Sequence, residues 1–413
     1  MDNPKEKFFT LTDNLFTFSS NACDCVTDVE NIRPGEVKET VKIQSLPNNP
    51  VRLAFAPSRG MVLLASNGSI KSDHVLSDLL AIPETDKDKM FKFFTDFGFF
   101  FPVSANDYEA VDIDSLYGLV RRIKAVVNLM SAIGETRKDY LKILGLVTFL
   151  LFEEPVELSF SCFGNEPFKT CEHALFHEVE SISSMRGAVD SEYNHYDPDN
   201  EQEVYTVPDT IYPPTYRLSC YDLLNIVGGF DEAPTGTSNS KMFKGIARMY
   251  SNGENFPNEM RRAIDFLFHF QNSVAVVKSW SCDGKVEFFD DDKNVKARYS
   301  SAFNDAMKSA LIDTAKMVIR DEIGYNLAGM RPQYDISTMS PAWEIQDLLT
   351  GIYVSIFFIR SGVESYRKCY NPSCNRLFLV SRTSEKRKYC SSSCRNASAQ
   401  RAHRFRKKFE ALS

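Results

Sequence analysis

Four cysteines near the C-terminal end of the chain have the spacing of a metal site. Four residues separate Cys369 from Cys374, three separate Cys390 from Cys394, and fifteen lie between the two pairs. Such paired spacing is typical of a tetrahedral site with four thiolate ligands, because each pair turns two sulfurs toward one ion. A closed four-thiolate shell leaves no coordination position for water. We therefore expect these residues to bind one structural, non-catalytic Zn²⁺.

The charge of the chain is unevenly distributed around this motif. Residues 361–413 contain 13 lysines and arginines against 3 acidic residues, a net charge of +10, although the whole chain carries -7. The preceding 360 residues therefore carry -17. A basic segment attached to an acidic body favours a polyanionic partner for the basic part. The alternative is that the basic segment docks on its own acidic body.

An amphipathic helix is predicted after the fourth cysteine. At 100° per residue its apolar stripe, which we expect to pack, consists of Ala402, Phe405, Phe409 and Leu412. The remaining faces are cationic, which suits contacts with phosphates and base edges, although charge runs are also common on solvated helix ends. The candidate nucleic-acid-binding residues are Arg382, Lys386, Arg387, Lys388, Arg395, Arg401, Arg404, Arg406, Lys407 and Lys408.

The C-terminal segment resembles a known zinc finger. The matching elements are Cys369-x4-Cys374-x3-Phe378, Tyr389-Cys390-Ser391, Cys394-x-Asn396 and Arg401-x-His403-Arg404-x-Arg406. They resemble the CGNR zinc finger at the C-terminus of bacterial proteins assigned as stress-associated transcription regulators. Arg395 and Ala397 stand where the family has Gly and Arg beside the asparagine. In the family an α/β domain precedes the finger, and residues 76–134 with 340–362 weakly resemble it.

This resemblance and the charge distribution together lead to a functional hypothesis. We expect a DNA-binding transcription regulator whose finger contacts duplex DNA and whose body oligomerises or senses a small-molecule or protein ligand. The alternative is a stress- or defence-related interaction protein whose finger binds a protein partner or RNA. The small number of aromatic residues on the cationic faces argues mildly against stacking on single strands. A homodimer would fit a DNA regulator, but no coiled-coil heptad requires one.

The expected fold class is α+β. We predict an N-terminal extension over residues 1–50, an acidic and mainly helical body with a few short strands over 51–362, and a basic zinc module over 363–413. The body is expected to divide into two subdomains near residues 185–240. In the module, a zinc knuckle followed by a helix predicts a treble-clef-like arrangement.

Several elements of the body can be predicted individually. Apolar residues at helical spacing predict helices over 115–133 and 303–323, with Gly324 as a C-terminal cap of the second. Ser340 followed by Pro341 predicts the start of a buried helix that ends near Gly362. Strands are expected at 51–66, 156–163 and 204–207. The phenylalanines between 91 and 101 are expected to form core.

The other candidate residues carry weaker signals. Cys171, His173 and His177 lie close in sequence, and the two histidines at i and i+4 would share a helix face. They could form a second metal or acid–base site, but the glutamate of a metalloprotease motif is missing. Of the remaining cysteines we expect three to be buried thiols, namely Cys162, Cys220 and Cys282. No catalytic motif is found, so enzymatic activity is not expected.

The sequence also lacks the signals of export and of membrane insertion. The most apolar segments, 141–152 and 352–359, are much shorter than the roughly 20 residues that span a bilayer. The first residues have no basic start followed by an apolar stretch. We therefore expect a cytoplasmic protein without membrane partners, whose cysteines are kept reduced.

Overall fold

The computed structural model describes most of the 413-residue chain and shows a mixed fold of helices and strands. The described residues are 16–33, 36–56, 60–72, 75–83, 86–184, 204–213, 215–219, 245–247, 249–250, 256–336, 339–360, 363–374, 376–381 and 386–410. The chain forms two compact units. The first consists of Met1–Thr136, Pro155–Cys171 and Glu322–Ser413, and the second of Arg137–Glu154 and Glu172–Asp321.

The described strands are numbered in chain order. They are β1 Phe16–Arg33, β2 Glu36–Ala56, β3 Gly60–Leu64, β4 Ile70–Ser72, β5 Glu109–Asp112, β6 Glu157–Leu158, β7 Phe168–Lys169, β8 Val204–Pro208, β9 Thr215–Ser219, β10 Val277–Trp280, β11 Val286–Phe288, β12 Arg331–Asp335, β13 Ser340–Glu344, β14 Glu364–Lys368 and β15 Leu377–Ser381.

The described α-helices are numbered in the same way. They are α1 Val75–Leu80, α2 Lys87–Phe97, α3 Ile113–Gly134, α4 Tyr140–Phe152, α5 Ala174–Ser184, α6 Asn258–Ser273, α7 Asp292–Ala302, α8 Asp305–Leu327, α9 Leu348–Phe357 and α10 Ser392–Glu410. Within the described residues, no helix combines the length and apolarity needed to cross a bilayer.

A five-stranded antiparallel sheet forms the framework of the first unit. Its order is β1-β2-β3-β4, and β5 pairs with the first half of β2, whereas β3 pairs with the second half. Residues 16–50 were expected to form an extension, but they supply most of β1 and β2, which span 18 and 21 residues. The difference arises because Val41 and Ile43 are completely buried, so this hairpin belongs to the core. The body therefore contains long strands as well as short ones. The predicted strands at 51–66 and 204–207 are present, but within 156–163 only Glu157–Leu158 is a strand and Ser161–Phe163 is a 3₁₀ turn.

Helix α3 packs in the same unit and confirms the prediction over 115–133. It begins after Asp112, whose side chain accepts a hydrogen bond of 2.9 Å from the Ser115 N–H. An aspartate at this position satisfies an amide that has no partner within the helix. The apolar stripe that predicted the helix, including Leu116, Leu119 and Ile123, is buried.

Two predicted helix ends are wrong. Gly324 lies inside α8, which continues to Leu327 without a left-handed residue at 324. Ser340 and Pro341 lie in β13, where Pro341 pairs with Tyr334 of β12. A proline is tolerated there because each strand of a two-stranded ladder has one edge without partners. The buried helix α9 begins instead after Asp347, which accepts 2.7 Å from the Thr350 N–H.

The expected phenylalanine core is confirmed. Phe94, Phe99 and Phe100 are at most 1% exposed, and the Phe94 and Phe99 rings meet edge to face with centroids 4.8 Å apart. Such contacts add to the free energy gained by removing apolar surface from water.

The predicted boundary between subdomains, near 185–240, lies largely outside the described residues. The two observed units divide at other points, with 137–154 joining 172–321 in the second unit. Of the three thiols expected to be buried, Cys282 is buried, Cys220 lies outside the described residues, and Cys162 is exposed. Cys162 lies in a short 3₁₀ turn, Ser161–Phe163, in which no residue is buried.

In the second unit, helix α4 packs directly against the turn between β10 and β11. A Cβ atom at Gly145 would lie 2.7 Å from the backbone oxygen of Gly284. We expect Gly145→Ala to destabilise this unit by about 1–3 kcal/mol, because backbone on both sides would have to move. Gly324→Ala is the control. No atom lies within 4 Å of its Cβ position, so alanine there should stabilise α8 by about 0.5–1 kcal/mol. Thermal unfolding followed by circular dichroism checks both, and equal effects would contradict the packing argument.

Candidate metal centre

The first cysteine pair lies in the loop of a β-hairpin. β14 ends at Lys368 and pairs antiparallel with β15, which begins at Leu377. In the loop between them, the Cys369 N–H donates 2.8 Å to the Arg376 carbonyl. Within the loop, the Cys374 N–H donates 2.9 Å to the Asn371 carbonyl. This tight turn, which Asn371 and Pro372 favour in sequence, brings the two cysteines to one side of the hairpin.

The second pair lies at the start of helix α10. Cys390 lies two residues before the helix, and only Cys394 lies in its first turn. The Ser391 hydroxyl accepts 3.2 Å from the Cys394 N–H, which satisfies one of the helix's first amides. A serine just before a helix is a recognisable start signal, so this supporting residue could have been found from the sequence.

The four sulfurs converge. All lie within 4.8 Å of one another, with Cys374 Sγ 3.6 Å and Cys394 Sγ 3.5 Å from Cys390 Sγ. A zinc ion bonded to four sulfurs at about 2.3 Å sets neighbouring sulfurs about 3.8 Å apart in a tetrahedron. The four cysteines that the sequence predicted as ligands are therefore close enough to hold one metal ion.

The thiols differ in how readily they ionise. Hydrogen bonds with Ser391 and Asn371 lower the pKa of Cys394 to about 6. Burial raises the pKa of Cys390 to about 12 and also raises the pKa of Cys374. Four thiolates this close repel one another in the absence of a cation, so a bound dication and the loss of the thiol protons favour each other.

A small apolar core supports the cluster. Phe378 and Val380 of β15 are buried with Cys369 and Cys390, and Tyr389 packs against them. Such a core is too small to be stable by itself, which is the usual situation in which a metal contributes folding free energy. We call the β14–β15 hairpin, residues 386–391 and α10 the metal module.

The metal module is attached to helices α1 and α3 of the first unit. Arg376 Nε lies 3.0 Å from Asp78 Oδ1, and the Ser77 hydroxyl donates to the Leu377 carbonyl. The Tyr366 N–H donates 3.4 Å to Ser131 Oγ on α3. The hairpin therefore belongs to the same compact unit as the N-terminal sheet.

The predicted nucleic-acid contacts that precede Cys390 are exposed but differ in their neighbours. Lys386 has no acidic partner among the described residues, whereas Arg387 donates 3.1 Å to the Tyr389 carbonyl and lies 5.1 Å from the Phe378 ring centroid. The Arg387 guanidinium therefore makes contacts within the metal module. Lys388 lies 5.8 Å from the Tyr370 ring centroid. Arg382 lies outside the described residues.

The predicted contacts on α10 are exposed as far as the structure describes them. Arg395 and Arg404 have no acidic partner among the described residues, and Arg401 donates to the Ser373 hydroxyl. Ala402 was expected to pack but is exposed, because no described element covers that face of the helix. The side chains of three further predicted contacts on α10 lie outside the described part of the structure, namely Arg406, Lys407 and Lys408. The same is true of Phe405 and Phe409 of the apolar stripe. Leu412 lies outside the described residues altogether.

The three residues of the possible second site differ in burial and in the unit to which they belong. Cys171 belongs to the first unit, while His173 and His177 belong to the second. His173 precedes α5 and is buried 3.6 Å from Asp321, whereas the His177 side chain is 73% exposed. The two histidines therefore do not share one helix face, since the helix begins only at Ala174.

A buried polar network in the second unit was not predicted. The Asp209 carboxylate accepts hydrogen bonds from His269 Nε2 at 2.5 Å and from the Tyr250 hydroxyl at 2.7 Å. Its other oxygen accepts 2.8 Å from the N–H groups of Ile211 and Tyr212. Burial would raise the pKa of Asp209, but these bonds outweigh it and lower the pKa to about 2. A carboxylate with both oxygens engaged in this way supports the fold and has little capacity left for a substrate.

Comparison with known protein families, with curated proteins and with solved structures finds no match for this chain.

Proposed function

We propose that this protein binds DNA through its metal module and acts as a transcription regulator. In this proposal Cys369, Cys374, Cys390 and Cys394 hold one structural Zn²⁺ in a treble-clef-like finger of the CGNR kind. The bound ion would fix the loop of the hairpin against the start of α10. The lysines and arginines of the metal module would then keep a constant arrangement relative to one another.

The exposure of unpartnered cations on the module is the observation that carries this proposal. Lys386, Arg395 and Arg404 are exposed and none has an acidic partner among the described residues. In the rest of the described chain many exposed cations pair with acids, for example Lys92 with Asp96 at 2.8 Å. Cations without acidic neighbours, two of them on one helix, suit phosphate contacts, which supply most of the non-specific affinity for DNA.

The salt dependence of binding provides the test. We expect a zinc-loaded protein to bind mixed-sequence duplex DNA, and log affinity to fall linearly with log salt concentration. An Arg395→Ala/Arg404→Ala variant should bind more weakly at low salt. Its slope should be less steep by about 2, because each lost phosphate contact contributes about 0.9.

The matched control is Lys293→Ala/Lys296→Ala, which removes two exposed cations from helix α7 in the other unit. Its slope should equal that of the unaltered protein. An unchanged slope in the Arg395/Arg404 variant would remove α10 from the DNA contact. Preferential competition by RNA, or binding to a protein partner that survives nuclease treatment, would favour the alternative function.

A further inference from the structure

Tyr370 is a large exposed aromatic residue in the loop between the first two cysteines. Its side chain is 69% exposed, and its hydroxyl makes no hydrogen bond among the described residues. Its backbone is nevertheless fixed, because its N–H donates 2.9 Å to the Lys388 carbonyl. The ring therefore projects from a fixed backbone position with most of its surface accessible.

The surroundings of this ring are cationic and aromatic. Lys388 Nζ lies 5.8 Å from the ring centroid, and the Tyr389 ring meets it at 87° with centroids 6.2 Å apart. Lys386 and Arg387, on the same segment as Lys388, are exposed as well. A fixed aromatic ring beside cations is the combination by which proteins hold single-stranded nucleic acid, with bases stacked on the ring and phosphates on the cations.

We propose that Tyr370 stacks on an unpaired DNA base whose neighbouring phosphates contact Lys386 and Lys388. This inference rests on the proposed DNA binding and adds a preference to it. The cations can hold the phosphates of either form of DNA. In a duplex the faces of each base are covered by its neighbours, so the ring gains a partner only where bases are unstacked. The sequence pattern did not indicate this role. The phenylalanines of the predicted helix were expected to pack in its apolar stripe, and Tyr370 lies between two cysteines that were predicted as metal ligands.

The test compares two forms of DNA on the zinc-loaded full-length protein. Affinities are measured at one salt concentration for a mixed-sequence single strand and for the same sequence as a duplex. Tyr370→Ala should weaken single-strand binding about tenfold while changing duplex binding less than about twofold. Tyr370→Phe should keep both affinities, because phenylalanine retains the stacking face. Zinc content is measured for each variant, so that damage to the metal centre is recognised.

Tyr334→Ala is the matched control, since Tyr334 is 56% exposed on the β12–β13 hairpin outside the metal module. It should change neither affinity. If Tyr370→Ala with full zinc content lowers both affinities equally, or lowers neither, the stacking role is wrong while DNA binding stands. If the unaltered protein binds neither form, the proposed DNA-binding function itself fails.

Discussion

A Cys390→Ser variant is expected to lose stoichiometric zinc and the folded structure of the metal module. Cys390 is 6% exposed, and its sulfur lies within 3.6 Å of the sulfurs of Cys374 and Cys394. A serine hydroxyl at this position is a much poorer zinc ligand than a thiolate. Structural zinc contributes about 10–16 kcal/mol of apparent binding free energy in small domains, so losing one of four ligands removes a large part of their stability.

The measurement is metal content by mass spectrometry after dialysis against a chelator, with limited proteolysis of the same samples. Cleavage is expected within residues 363–413 of the variant and not in the unaltered protein. Cys162→Ser, which changes an exposed cysteine of the same unit, is the control and should retain one zinc per chain. Full zinc retention by Cys390→Ser would exclude Cys390 as a ligand.

An Arg122→Leu variant is expected to destabilise the first unit by about 3–5 kcal/mol, because it leaves the charge of Glu322 buried without its cation. The Arg122 side chain is 3% exposed and that of Glu322 is not exposed. Arg122 Nε donates 2.8 Å to Glu322 Oε1, and a terminal nitrogen donates 2.6 Å to the Cys171 carbonyl. The guanidinium therefore satisfies two buried acceptors simultaneously.

Chemical denaturation with a probe of each unit measures this effect, since two units need not unfold in one step. An Arg122→Leu/Glu322→Leu double variant should recover much of the loss, because it buries neither charge. The control is Lys92→Ala, which breaks an exposed pair with Asp96 and should change stability by less than about 1 kcal/mol. A small effect of Arg122→Leu would mean that water or another residue reaches Glu322.

The elements that the sequence predicted well are those with strong local patterns. Helix α3 was predicted correctly because its apolar residues recur at helical spacing and form one stripe, which is buried in the folded unit. The start of α9 was placed wrongly, since Ser340–Pro341 is a valid local start signal that pairing with β12 overrides. The role of residues 16–50 as long strands depends on partners such as Val111 in β5, which are far away in sequence.

The sequence by itself predicted the four cysteines of the candidate metal centre, because two short cysteine pairs need only local turns to bring their sulfurs together. Only the tertiary structure decided that the hairpin is attached to α1 through Asp78 and that Arg387 is engaged within the module while Arg404 is not. It also decided that the ring of Tyr370 remains accessible. These properties depend on which surfaces meet after folding, and contacts between residues as distant as Asp78 and Arg376 leave no periodic or spacing signal in a single sequence.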